Sequence, residues 1–220
     1  MAVYITASCI RVQMKSLFKS FFRTDELKSE SGLSHVSDLK VGDMIELDND
    51  FSLPNVLRGN TFQVVLRALY EYEGEEEVEW VLKGDDGTTF FLSYDSEDGD
   101  ESVSFGLKLT PVDVEKIFNL DEFSTVFDDE HSAVLTDITE VEGFSDWLGS
   151  TYLRTEYAEP GYYHKSGEME AQGEPFDHFE LASNCGKFGL DIDVWDGGET
   201  DVSISMSRPI NIIKHYWGHK

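Results

Sequence analysis

The sequence predicts a mainly β protein built from antiparallel meanders. Apolar and polar residues alternate over Val78–Leu82 and again over Val103–Leu107, which is the period of a half-buried strand. Turn residues such as Asp85-Asp86-Gly87 recur at the spacing of about 8–12 residues that is typical of all-β folds. We expect the meanders to form a sandwich or a partly open barrel, with an N-terminal amphipathic helix and one or two short helices.

The first meander, Val78–Leu109, is joined by a fourth strand upstream. Thr88–Tyr94 is rich in β-branched and aromatic residues, which favour a strand, and Phe62–Tyr72 supplies the additional strand. Four strands with one apolar side are stable together, whereas an isolated hairpin is marginal. After this meander, Thr110 and Pro111 are typical of the N-cap and first turn of a short helix.

A second meander over Glu180–Met206 matches the first at an offset of 99 residues, as between Gly87 and Gly186. The match fails in the middle, where Phe91 and Tyr94 do not keep phase with Leu190 and Trp195. Two interpretations stay open: a duplication, or two meanders that share turn residues by necessity. The expected segments are residues 1–37 (basic amphipathic helix and linker), 38–127 (first meander) and 128–220 (second meander).

Composition limits the function classes. The two cysteines, Cys9 and Cys185, give neither a disulfide framework nor metal-ligand spacing. No secretory signal is recognisable, and no apolar run approaches the ~20 residues needed to cross a bilayer. The sequence therefore predicts a cytoplasmic protein, with peripheral membrane contact as an open alternative.

The charge is strongly acidic and uneven. The chain has 44 acidic and 17 basic residues, a net charge of −27. Residues 1–28 hold five basic and two acidic residues, net +3, so the remainder carries −30. Such a field repels nucleic acid and anionic lipid and attracts cations, polyamines and basic protein surfaces. Solubility alone is the competing interpretation.

The N-terminal segment is basic and amphipathic. Met14 is placed as a normal start would be, so translation from Met14, without residues 1–13, is one hypothesis. A helix over residues 14–23 would pack on the protein's own sheet, on a partner or on an anionic membrane surface. Its apolar and basic side chains are Leu17, Phe18, Phe21, Phe22, Lys15, Lys19 and Arg23.

Three groups are candidate binding residues. An acidic turn is interpreted either as a solvated turn or as a site that attracts a cation or a basic partner, and its Gly99 comes one position too early for a calcium loop. Its acidic residues are Asp95, Glu97, Asp98, Asp100 and Glu101. A weaker candidate for a metal is the set Asp191, Asp193, Asp196 and Glu199, of which the first two share one strand side. Tyr70 and Tyr72, at alternate positions, are predicted to line a binding groove.

The sequence contains no catalytic constellation. The serines lack a nucleophile-elbow pattern, and no glycine-rich phosphate loop is present. Of the six histidines, His215 and His219 are four residues apart, which would pair them as metal ligands only in a helix, and Gly218 argues against a helix there. One arrangement stays open as an enzyme hypothesis, because His178 and Glu180 share a strand side that His164 could approach. We expect no cofactor and no enzymatic activity.

The first half of the chain contains the short motifs DLKVGD (Asp38–Asp43), EVEWVL (Glu77–Leu82) and FFLSYDSEDG (Phe90–Gly99). The second half contains FELASN (Phe179–Asn184) and VWDGGE (Val194–Glu199). With them the chain resembles a bacterial family known as domain of unknown function 4178, over roughly residues 36–213. The resemblance implies a cytoplasmic, β-rich accessory protein, often encoded near membrane-stress and polyamine-related genes. It transfers no catalytic residues.

The sequence supports hypotheses from three classes. The first is an acidic, non-enzymatic binding or adaptor protein that engages a basic protein surface, a polyamine or a cation, without direct nucleic-acid binding. The second is a nucleic-acid mimic that inhibits a DNA-binding protein by competing for its basic site. The third is a hydrolytic or metal enzyme around His164, His178 and Glu180.

Overall fold

Antiparallel strands dominate the computed structural model, which describes residues 32–97 and 99–219. In the described chain, eleven strands form one sheet. They are β1 (Met44–Leu47), β2 (Thr61–Tyr72), β3 (Glu75–Lys83), β4 (Thr89–Glu97), β5 (Asp100–Leu109), β6 (Val134–Leu135), β7 (Tyr152–His164), β8 (Glu174–Ser183), β9 (Phe188–Trp195), β10 (Thr200–Pro209) and β11 (Ile213–Trp217).

The central eight strands close into a barrel. The sheet order is β11-β1-β2-β3-β4-β5-β10-β9-β8-β7-β6, and β2 also pairs with β7. That pairing joins Leu69–Glu71 to Tyr162–His164, and it closes the eight strands β2–β5 and β7–β10 into the barrel. The mainly β, antiparallel prediction is confirmed, and the barrel is closed rather than partly open.

Two short helices follow the first meander, and the first of them is the helix that Thr110 and Pro111 predict. They are α1 (Pro111–Ile117) and α2 (Leu120–Ser124), accompanied in the described chain by 3-10 turns at Val36–Asp38, Thr125–Phe127, Ser145–Trp147 and Ile210–Ile212. Thr110 caps α1 through a capping box with Asp113, which satisfies backbone donors at the helix start. The predicted helix at residues 14–23 lies outside the described residues.

The core lies between one side of the barrel strands and the segments that connect them. The Trp80 indole of β3 donates to the Leu39 carbonyl at 3.0 Å, and Phe90 of β4 stacks on Trp147 at 5.7 Å. Burying these aromatic side chains removes a large apolar area from water, which is the main stabilising contribution. Val36 and Leu39 are buried too, so the end of the predicted N-terminal linker packs in this core.

The two predicted meanders form the two halves of this barrel and meet along the β5–β10 and β2–β7 pairings. Trp80 and Phe179, at matching places in the two halves, are 99 residues apart in the sequence. Their partners on the next strands, Leu92 and Ile192, are 100 residues apart. The partners of these two on the following strands, Phe105 and Val202, are 97 residues apart. The strand order repeats while the register does not, so duplication stays a prediction.

Candidate functional site

The polar sides of the barrel strands face its lumen. Glu79 of β3 alternates with the buried Trp80, and Asp191 and Asp193 of β9 flank the buried Ile192. β3 and β9 lie opposite each other in the barrel, with three strands between them in either direction. The charges of Asp193 and Asp191 nevertheless act on Glu79. Only side chains that project inward can approach from opposite strands, so these carboxylates line the lumen.

Two more carboxylates and a histidine belong to this group. Glu77 has the same strand phase as Glu79 and interacts with both His178 and Glu180. On β8, His178 lies directly across from Asp193 in the ladder. We call the whole set the acidic lumen cluster: Glu77, Glu79, Glu180, Asp191, Asp193 and His178.

An ion pair lies within the acidic lumen cluster. His178 Nδ1 lies 2.7 Å from Asp193 Oδ1, and the two side chains keep 15% and 18% of their surface exposed. Burial alone would lower the pKa of His178, but the hydrogen bond to Asp193 and the charges of Asp193, Asp191 and Glu180 raise it to about 9. His178 is therefore a cation at neutral pH.

The remaining negative charge of the cluster is only partly neutralised. Burial, reinforced by the charges of Asp193 and Asp191, raises the pKa of Glu79 to about 8. Burial raises the pKa of Asp191 to about 7, although His178 acts in the opposite direction and the Ser205 hydroxyl donates to Asp191 at 3.0 Å. Both carboxyls thus hold protons near neutral pH, which is the response expected of buried carboxyls with like charges nearby.

Tyrosines predicted to line a groove lie beside this cluster. Tyr70 and Tyr72 pack edge-on against Phe176 of β8, with ring centroids 5.6 and 5.8 Å apart, and Tyr72 also lies 5.8 Å from the His178 ring. Burial raises the pKa of both tyrosine hydroxyls, so they stay protonated. The Tyr70 hydroxyl hydrogen-bonds to Glu79, which limits the rise in the carboxyl's pKa.

Small residues form the facing wall. By ladder register, the lumen-facing positions of β4, β5 and β10 include Ser93 opposite Glu79 and Ser203 opposite Asp191. Others on this side are Ser104, Gly106 and Ser205. The partial exposure of the cluster shows that water reaches it.

The predicted acidic turn lies at one mouth of the lumen. Asp95, Glu97 and Asp100 line a depression of about 720 Å³. Asp95 also acts on the pKa of Glu77, so the depression and the lumen share one electrostatic environment. We call these three residues the acidic mouth. The depression has basic residues too, Lys187 and Arg208.

Glu101, from the same predicted set, is engaged differently. Its carboxylate accepts a hydrogen bond from the Tyr94 hydroxyl at 2.6 Å and lies 2.9 Å from His35 Nε2. These two hydrogen bonds lower the pKa of Glu101. The described chain therefore begins beside the acidic mouth. Asp98 lies outside the described residues.

The four predicted metal ligands are divided between two places. Asp191 and Asp193 belong to the acidic lumen cluster, whereas Asp196 and Glu199 are exposed at the turn that follows β9. In residues 32–97 and 99–219, no group of three or more His, Cys, Asp or Glu side chains is arranged to hold a metal ion.

The histidines of the enzyme hypothesis lie on opposite sides of the sheet. His164 is buried and pairs with Leu69, in the phase opposite to the lumen. Its Nε2 lies 3.1 Å from Glu71 Oε2, and Nδ1 accepts the Glu170 backbone N–H at 3.1 Å. His178 faces the lumen, so the structure does not bring the two histidines together around Glu180.

Sequence reasoning missed Glu77 and Glu79 as site residues. Alternation with Val78 and Trp80 predicts a polar side, which in an open sheet would face bulk solvent. A signal was present in the acidic run Glu75–Glu77 followed by Glu79, but only barrel closure turns that side inward.

Comparison with protein-family models, curated proteins and solved structures finds no match for the chain. The resemblance to domain of unknown function 4178 therefore stays a prediction. No helix in the described part of the chain has the length and apolar character of a membrane-spanning segment.

Proposed function

We propose that the protein is a non-enzymatic binding protein that takes a small organic amine into its barrel lumen. The observation that carries this proposal is the acidic lumen cluster, in which five carboxylates gather around one histidine in a water-accessible interior. Burial, with a smaller contribution from neighbouring carboxylates, keeps Glu79 and Asp191 protonated near neutral pH, and a cation bound beside them would favour their charged forms.

The distribution of the carboxylates favours an amine over a metal ion. They come from three strands on facing walls instead of converging on one point. A linear polyamine carries several separated ammonium groups on an apolar chain, and each ammonium donates hydrogen bonds to carboxylates. The Tyr70, Tyr72 and Phe176 rings offer contacts to the methylene groups and cation–π attraction to an ammonium.

The lumen supports the small-molecule form of this function more than the adaptor form, because a protein surface cannot reach side chains inside a barrel. For the same reason, the cluster does not favour a nucleic-acid mimic, which needs phosphate-like charges on its exterior. The proposed setting is the cytoplasm, where the exposed Cys185 thiol would stay reduced.

Calorimetric titration with spermidine tests the proposal, since a ligand that binds the native state also raises the unfolding midpoint. The variant Asp193→Asn, Glu79→Gln removes two lumen carboxylates and is expected to weaken binding at least about tenfold, because each lost charged hydrogen bond is worth about 1.5–3 kcal/mol. The matched control is Asp85→Asn, Asp86→Asn in the exposed β3–β4 turn, which replaces the same number of carboxyl groups by amides.

Sodium chloride at matched ionic strength separates specific binding from screening. Equal weakening in both double variants would show only a response to net charge and would overturn the lumen site. Absence of binding at millimolar spermidine would overturn the amine function itself.

A further inference from the structure

A buried histidine outside the acidic lumen cluster lies at the seam where the barrel closes. The β2–β7 ladder has three residue pairs, whereas β3–β4, the next shortest ladder between barrel strands, has five. His164 of β7, only 1% exposed, pairs with Leu69 in this short ladder. Its Nε2 lies 3.1 Å from Glu71 Oε2 on β2, so a side-chain contact also joins the two strands.

The loop between β7 and β8, residues 165–173, lies across the same seam, and we call it the strap. Its Gly167 is buried, accepts a hydrogen bond from the Arg67 guanidinium at its carbonyl, and would place an added Cβ 2.5 Å from the Arg67 carbonyl oxygen. Near the other end of the strap, a Cβ on Gly173 would lie 2.8 Å from both His164 Cε1 and Tyr162 Cβ. The strap therefore packs on β2 and β7 at once.

The second ring nitrogen of His164 holds the strap. Nδ1 accepts the backbone N–H of Glu170 at 3.1 Å, so this nitrogen has no proton and the neutral ring has its proton on Nε2. A further proton can be added only at Nδ1, where it would point at the Glu170 N–H. Its uptake therefore replaces a hydrogen bond by two opposed donors, while the Nε2–H stays on Glu71.

The charged groups around the ring come from β2 and from the strap. On β2, the Glu71 carboxylate would pair with an imidazolium, and Arg67 is engaged with the strap. In the strap, the charges of Glu170 and His164 act on each other. Glu174 of β8 has the strand phase of the lumen and so lies on the other side of the sheet. Histidine is the side chain that ordinarily changes charge between about pH 5 and 8.

We propose that His164 is a pH-sensitive latch of the barrel. When Nδ1 takes up a proton in mildly acidic solution, the strap leaves the seam, and the β2–β7 ladder becomes the part of the barrel that opens first. The lumen lies directly behind this ladder, where Tyr70 packs on Tyr163 with ring centroids 5.1 Å apart. The latch thus gives the lumen a lateral opening that responds to acid, whichever ligand the lumen binds.

Amide hydrogen exchange of the full chain, followed by NMR at about pH 7.5 and about pH 5.5, tests the latch. Protection factors correct for the effect of pH on intrinsic exchange. Protection of the Glu170 amide and of the β2–β7 ladder should fall about three- to tenfold at the lower pH, the equivalent of one lost hydrogen bond. The β5–β10 ladder should keep its protection. The fall should follow the titration of the His164 ring in the same samples.

Two variants separate the parts of the latch. His164→Gln can place an amide near Glu71 but offers no acceptor to the Glu170 N–H, so its strap should be poorly protected at both pH values. His164→Asn offers an uncharged acceptor at the position of Nδ1 and should keep the Glu170 amide protected at both. The control is His131→Gln, because His131 is largely exposed and outside the seam, and it should retain the pH response.

The unmodified chain alone can overturn the latch, whether or not the variants fold. A His164 ring that stays neutral at pH 5.5, or a Glu170 amide whose protection does not follow the ring, would do so. The same pH response in His164→Gln would assign the response to the lumen carboxyls and would also overturn the latch. Release of the strap with an unchanged β2–β7 ladder would overturn the lateral opening. Spermidine binding enters none of these outcomes, so the latch and the amine function fail separately.

Discussion

The protonation of single residues in the lumen depends on their neighbours across the ladder. His178 and Asp193 form a direct cross-strand pair with a 2.7 Å contact. The surrounding carboxylates, Asp191 and Glu180, raise the pKa of His178 further. Since the pKa of His178 is raised to about 9 from 6.5, the charged pair stabilises the fold fully below about pH 6.5. That contribution is lost as pH rises through 9.

Replacing Asp193 by Asn should lower the pKa of His178 by at least about one unit, because an adjacent opposite charge typically shifts a pKa by about 1–3 units. The measurement is an NMR titration of the His178 ring. Asp177→Asn is the control, because Asp177 is the exposed neighbour of His178 on the same strand. A titration of His178 that stays near pH 9 in Asp193→Asn would show that the pair does not set its protonation.

At the scale of strands and helices, alternation predicts most of what is seen. The Val78–Leu82 pattern predicts β3, and the Thr110-Pro111 signal predicts the capped start of α1. Which side of β3 faces inward could not be predicted, because it depends on pairing between β2 and β7, strands about 90 residues apart. Local alternation contains no information on such closure, so the sequence placed Tyr70 and Tyr72 in a groove but not the glutamates opposite them.

Irregular pairing also hides part of the barrel from sequence patterns. The ladder between β2 and β3 shifts register between Val64 and Leu66, and the β7–β8 ladder shifts twice between Arg154 and Glu159. Each shift reverses the phase of the side chains that follow, which breaks a two-residue period. The long strand β7 therefore shows no continuous alternation in the sequence.

The strand β7 needs a residue without a side chain where it crosses beneath Phe176. A Cβ on Gly161 would lie 2.5 Å from Phe176 Cζ and 3.1 Å from the Glu71 carbonyl oxygen. We expect Gly161→Ala to reduce the free energy of unfolding by about 1–3 kcal/mol, the usual cost of overpacking, as measured by urea denaturation. Gly106→Ala is the control, since its Cβ would come no closer than 3.3 Å to Phe91. Equally small losses in both variants would contradict a close approach at Gly161.

For the whole molecule, the location of the acidic residues matters more for ligand binding than their number. Most acidic residues of the described chain are exposed, where water and salt screen their charges. The acidic lumen cluster is different, because its carboxylates face one another across the barrel and most of them are partly buried. Of the acidic residues behind the net charge of −27, those on the exterior promote solubility, and those of the acidic lumen cluster form the ligand site that we propose.

The inner carboxyls should make the protein less stable as pH rises toward the alkaline range. The folded-state pKa values of Glu79 and Asp191, about 8 and about 7, exceed the values of 4.5 and 3.8 for the unfolded chain. Between these limits the native state binds more protons than the unfolded state, so the free energy of unfolding falls with rising pH. His178 acts in the same direction between about pH 6.5 and 9, because the unfolded chain has released this proton while the native state still holds it.

We expect the free energy of unfolding to decrease by at least about 2 kcal/mol between roughly pH 5.5 and 8.5, since the two carboxyls together cover about four units of pKa shift in this range and each unit contributes at most about 1.4 kcal/mol. Urea denaturation across this range measures it. Glu79→Gln should flatten the slope and be the more stable protein at the alkaline end, because an amide keeps a hydrogen-bond acceptor for Tyr70 without a charge to bury. Glu115→Gln, at an exposed position of α1, is the control and should keep the original slope. Stability that increases with pH, or an unchanged slope in Glu79→Gln, would show that the lumen does not crowd its carboxylates, and the reason for a cation to enter it would be gone.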